Sequence, residues 1–184
     1  VEAFEETPEM KDIREKIEYS QIMIEKESSS STKEFLEKKV KEAEEKIPDT
    51  ELPDLPYLKE APDVHDWYTF EHEIWDIGEE IRQLAVQNKK KFNEEQIGRI
   101  IGICLDKRVK RGRQSFVMLL GKKAYSGYSG ALIPLLCDDD ADGHVIYTLY
   151  KMQAGQYVEQ IKPFAEHKRT WIRNEAKRYI QKFG

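Results

Sequence analysis

The chain has 184 residues, of which 39% are hydrophobic and 35% charged, with a net charge of −5. That length suits one domain, or a domain with an appended arm. No run reaches the eighteen or so apolar residues of a membrane helix, and the acidic N-terminus lacks the basic-then-apolar plan of a secretory leader. Cys104 and Cys137 both sit in apolar helical runs, so buried free thiols and a cytoplasmic home are expected. Abundant Glu, Lys and Ile with only 10 Gly point to long solvated helices.

Thr7-Pro8-Glu9 opens the first predicted helix, a capping residue followed by Pro at the first helical position. Four serines, Ser28–Ser31, are expected to interrupt it, because serine hydroxyls compete for backbone hydrogen bonds. Ser31 with Glu34 then reads as a capping box for a second helix. Its stripe of Leu36, Val40, Ala43 and Ile47 ends at Pro48. Residues 1–47 are therefore predicted to form an acidic antiparallel helical hairpin.

Residues 48–66 carry Pro48, Pro53, Pro56 and Pro62, which exclude regular helix. Leu52, Leu55, Tyr57 and Leu58 are apolar enough to suggest a strap laid on the helical body; a flexible tether is the alternative. Residues 67–184 are the predicted helical domain. A helix from Trp67 to about Asn88 places Phe70, Ile74, Ile77, Ile81, Leu84 and Ala85 on one face. Asn93 with Gln96 forms a capping box for a helix through Ile97, Ile100, Ile101 and Cys104. Phe116–Lys123 follows a basic break, and Ser126–Gly130 is a turn.

The chain then repeats itself. Leu132-Ile133-Pro134-Leu135 matches Ile161-Lys162-Pro163-Phe164 at an offset of 29 residues, and Val145, Leu149 and Met152 match Ile172, Ala176 and Tyr179 at an offset of 27. Phe116 and Leu120 form a further copy. Each unit is a short helix with an early Pro, a polar turn and a second helix, which buries its faces only by stacking on neighbours. Over residues 93–184 this pattern, with its Asp-rich turn at Asp138–Asp142, resembles HEAT-like α-solenoid repeats. The resemblance implies an all-α fold of about three stacked hairpins and a repeat surface used for binding. A non-repeating helical bundle would satisfy the same apolar spacing.

No nucleophile, metal set or phosphate loop stands out. The chain therefore reads as a non-enzyme that needs no cofactor. Asp138, Asp140, Asp142 and Gly143 mimic the opening of a calcium loop, but the closing position holds Leu149, which offers no oxygen. Glu71-His72-Glu73 diverge around their helix and read as a solvated face. Trp67, Trp75 and Trp171 read as core residues.

Charge is the strongest global clue. Residues 1–88 hold 11 Lys+Arg against 25 Asp+Glu, and residues 89–184 hold 19 against 10. The basic residues run through Lys89–Lys91, Arg99, Lys107, Arg108, Lys110, Arg111, Arg113, Lys122 and Lys123, then Lys168, Arg169, Arg173, Lys177 and Arg178. As a candidate binding surface, Arg108, Lys110, Arg111, Arg113, Lys122, Lys123, Arg169 and Arg173 would suit phosphate backbones. Equally, they could pair with the acidic half. The expected function is protein interaction or scaffolding on a helical-repeat surface, with nucleic-acid binding as the alternative.

Overall fold

Helix is the only regular structure in the computed structural model, which describes residues 8–62, 64–87 and 91–184. The first helix, α1, runs unbroken from Pro8 to Glu45. The expected break at Ser28–Ser31, and with it the N-terminal hairpin and the Ser31–Glu34 capping box, is corrected: those residues lie inside α1. A serine costs only about half a kcal/mol relative to alanine in a helix, and flanking Ile, Glu, Lys and Phe outweigh that. Pro8 stands at the first helical position; Thr7 lies outside the described residues, as do Lys89 and Lys90.

The chain divides into two compact units, Val1–Lys38 and Lys39–Gly184. The second contains the end of α1, then α2 (Thr69–Gln87), α3 (Glu94–Leu105), α4 (Gln114–Leu119), α5 (Asp142–Met152), α6 (Val158–Ile161) and α7 (Thr170–Phe183). Short 3₁₀ segments at Lys107–Arg113, Lys123–Cys137, Gly155–Tyr157 and Lys162–Glu166 join them. Among the described residues of 46–68 there is no regular helix, and Tyr57 and His65 form an isolated antiparallel bridge.

Local chemistry explains the helix starts. At α3 the Asn93 side chain accepts from the Gln96 N–H at 2.8 Å while the Gln96 side chain accepts from the Asn93 N–H at 3.0 Å, the reciprocal capping box. At α2 the Glu71 carboxylate reaches back to the Tyr68 N–H at 2.8 Å. The α2 stripe buries Ile74, Ile77, Ile81 and Ala85, and α3 buries Ile97, Ile100, Ile103 and Cys104. Gly78 permits the close approach of α2 to α4, since a Cβ there would stand 2.1 Å from Ser115 Oγ.

Four times a 3₁₀ segment precedes an α-helix: Lys107–Arg113 before α4, Lys123–Cys137 before α5, Gly155–Tyr157 before α6, and Lys162–Glu166 before α7. The matched positions Val145, Leu149 and Met152, and Ile172, Ala176 and Tyr179, are all buried, as are Phe116 and Leu120. The leading segments are 3₁₀ rather than α-helical at Leu132–Leu135 and at Lys162–Phe164, while Ile161 closes α6. Pro134 and Pro163 lack the N–H an α-turn needs, and Gly127 and Gly130 add backbone freedom that a helix must freeze. Gly143 lets α5 and α7 meet, because a Cβ there would fall 2.2 Å from Trp171.

Candidate functional site: a basic and aromatic groove beside a buried ion network

The most basic stretch of the sequence is turned inward. Lys110, Arg111 and Arg113 are buried at 5%, 8% and 1% exposure, which corrects their reading as surface cations. A buried cation must be paired and hydrogen-bonded, and carboxylates distant in sequence supply the partners. Lys110 pairs with Asp54, whose carboxyl it holds below its usual range. The Arg111 guanidinium donates to the carbonyls of His65 and Asp66, lies over the Trp67 ring at 5.2 Å, and has Nε 3.5 Å from Glu71. Glu71 is wholly buried, not on a solvated face, and also accepts from the Arg111 N–H at 3.0 Å. Arg113 pairs with Asp138.

The surrounding residues share this structural role. Arg108 clasps Asp106 through Nε at 3.0 Å and reaches the Pro48 carbonyl at 3.3 Å. Arg99 pairs with Glu44 at 2.7 Å. These bonds tie residues 44–71 to residues 99–113: Arg99, Lys110 and Arg111 are answered by acids of the first half, and Arg108 and Arg113 by Asp106 and Asp138 of the basic half itself. Lys110 itself has φ 51° and ψ −133°, a conformation glycine takes in tight turns and one a side chain resists.

The calcium candidates also face separate partners. Asp138 takes Arg113, Asp140 lies 3.7 Å from Arg111, and Asp142 lies 3.5 Å from His167 and accepts from the Gly143 N–H. Among the described residues no group of three His, Cys, Asp or Glu is placed to hold a metal ion. Burial raises the Asp142 carboxyl to about 6 and lowers the His144 imidazole to about 4. Arg169 donates to the Asp139 carbonyl at 3.2 Å, and Arg173 donates to the His167 carbonyl at 2.7 Å, so both shape the turn before α7. Cys104 is buried as expected but Cys137 is exposed, and Trp171 is 44% exposed instead of core.

Lys122 and Lys123 remain near the surface, and Lys122 lines a groove. This groove, of about 370 Å³, lies between α2, α4 and α5. Its apolar floor is Ala85, Val86, Met118 and Leu119, with Val86 61% exposed. Arg82, Lys122 and Lys151 stand at its rim. Burial lowers the Lys122 ammonium, while the Glu79 carboxylate holds Arg82 firmly charged.

Beyond the rim the same chemistry continues across α5 onto α7. Lys151 lies 5.7 Å from the Tyr147 ring centre; Arg178 and Lys182 lie 4.0 Å and 4.4 Å from that of Tyr150. Glu79 answers Arg82 and Glu175 answers Arg178. Among the described residues no carboxylate forms an ion pair with Lys151 or Lys182. Sequence reasoning passed over Arg82, Tyr147, Tyr150, Lys151 and Lys182. The available signal was that Tyr147 and Tyr150 fall off the buried Val145-Leu149-Met152 stripe.

No family model matches the chain, and no curated protein or solved structure matches it. No helix among the described residues is long and apolar enough to cross a membrane.

Proposed function

We propose that this chain is a non-catalytic protein-interaction module, built on HEAT-like helical units, whose docking surface is the groove over α2, α4 and α5. The observation that carries this is the pairing of an apolar floor at Val86 and Met118 with cations at the rim, the anchor-and-rim plan of protein interfaces. The repeat assignment is supported by matched burial at Val145, Leu149 and Met152 and at Ile172, Ala176 and Tyr179. Free thiols at both cysteines accord with a reducing cytoplasmic compartment. Nucleic-acid binding is favoured less, since Lys110, Arg111 and Arg113 are already committed to carboxylates.

The test is affinity capture on the immobilised full chain from a lysate of its source cell. Capture of a protein by the wild type, lost with Val86→Asp and kept with Lys41→Glu, is the expected result. A captured set unchanged by Val86→Asp, or no capture at all, would overturn the reading.

A further inference from the structure

We infer that the groove receives an acidic segment of another protein, with one large apolar side chain against Val86 and Met118 and carboxylates flanking it. The inference rests on the protein-interaction reading and adds the chemistry of the partner.

Charge complementarity sets the sign of the occupant. Arg82, Lys122 and Lys151 ring the groove, and Arg178 and Lys182 extend the positive field along α7. Glu79 and Glu175 offset Arg82 and Arg178, while among the described residues no carboxylate forms an ion pair with Lys151 or Lys182, so the strip stays net positive and attracts an anionic partner. Lys151 and Lys182 touch aromatic rings rather than carboxylates. An incoming Asp or Glu can approach such an ammonium without displacing a resident acid.

The floor then distinguishes among anions. Phosphate or a small inorganic ion gains nothing from Val86, Met118 and Leu119, whereas an apolar side chain does, at about 25 cal/mol per Å² of surface removed from water. Met118 adds a flexible thioether that adapts to the shape of the anchor. A nucleic acid would need open aromatic faces for its bases. Lys151 lies over Tyr147, and Arg178 and Lys182 lie over Tyr150, so the tyrosines serve as seats for cations. The strip also spans α2, α5 and α7, wider than one ion requires and suited to several residues of chain.

The test is selection of random peptides of about twelve residues, a length that covers such a strip, on the full-length chain. Enrichment of peptides rich in Asp and Glu around a Leu, Ile, Met or Phe is expected. A synthetic representative should lose about tenfold or more in affinity for Lys151→Glu and for Val86→Asp, as loss of a central contact does. Lys182→Glu should weaken it less, and Lys41→Glu should leave it unchanged. Val86 and Lys151 are both exposed, so neither substitution enters the core, and matched circular dichroism and melting curves check that the variants fold.

Enriched peptides without an acidic bias, or acidic peptides indifferent to both Lys151→Glu and Val86→Asp, overturn the inference. So does tighter, groove-dependent retention of DNA or RNA oligonucleotides at about 50 mM salt. If no peptide is enriched while protein capture still depends on Val86, the inference fails and the interaction reading stands; if capture fails too, both fall.

Discussion

Removing the Glu71 carboxylate should destabilise the fold more than almost any other single change to a charged residue. Glu71 is fully buried and makes three contacts: it accepts from the Tyr68 N–H at 2.8 Å and the Arg111 N–H at 3.0 Å, and lies 3.5 Å from Arg111 Nε. Glu71→Ala leaves the buried Arg111 N–H and the part-buried Tyr68 N–H without their acceptor, and removes the nearer of the two carboxylates beside the buried guanidinium, Asp140 remaining at 3.7 Å. Breaking a buried pair from one side costs about 3–5 kcal/mol. Arg111 keeps the His65 and Asp66 carbonyls as acceptors, which holds the loss toward the lower end. Glu71→Gln retains an acceptor oxygen and should cost about 1–2 kcal/mol. Against a usual total of about 5–15 kcal/mol, the alanine variant should lose a large share of its stability and melt roughly 6–15 °C lower. Urea unfolding followed by circular dichroism measures both variants. An alanine variant within about 1 kcal/mol of wild type would refute the assigned role of this network.

Other predictions follow from single sites. Lys110→Gly relieves a positive-φ backbone and Lys110→Ala does not, while both lose the Asp54 pair. The glycine variant should therefore be the more stable by about 1 kcal/mol or more in the same urea assay, and equal stabilities would contradict the strain. Asp142, raised to about 6 by burial, binds its proton more tightly when folded, so its stabilisation is present below about 4 and lost as pH rises toward 6. His144, lowered to about 4, works in the opposite sense and destabilises as pH falls from 6.5. Relative to wild type, Asp142→Asn should gain stability between about pH 4.5 and 6.5, by something on the order of 2 kcal/mol, and His144→Gln should lose it. Urea midpoints at the two pH values check this, and parallel profiles for all three proteins would exclude it. Finally, Cys137 is exposed, while Cys104 is buried with its thiol pushed well above the usual range. A thiol reagent should thus modify one cysteine in the native protein and the second only after unfolding; two fast reactions would contradict the packing around α3.

What could be read from the sequence was what depends on neighbours in the chain. The Asn93–Gln96 box and the α2 stripe are local signals, and both form as expected. The four serines misled because a weak helix former bends to its context where a proline does not. The ion network was out of reach for a different reason. Arg111 meets Glu71 across 40 residues and Lys110 meets Asp54 across 56, and a run of cations looks the same on paper whether it faces solvent or distant acids. Tyr147 and Lys151 lie four apart on α5 and were legible as a pair; that Arg82 and Lys122 complete their rim depends on how three helices pack.

The claim that the α2–α4–α5 groove receives a protein partner is tested most directly by photo-crosslinking from its floor. A benzophenone amino acid in place of Val86, which is 61% exposed, should on irradiation in the source cell give a defined higher-mass adduct. Adding Lys151→Glu should abolish that adduct, and the same crosslinker at exposed Tyr57 should not give it. Adducts from position 86 no stronger than those from position 57, or unchanged by Lys151→Glu, would contradict the account.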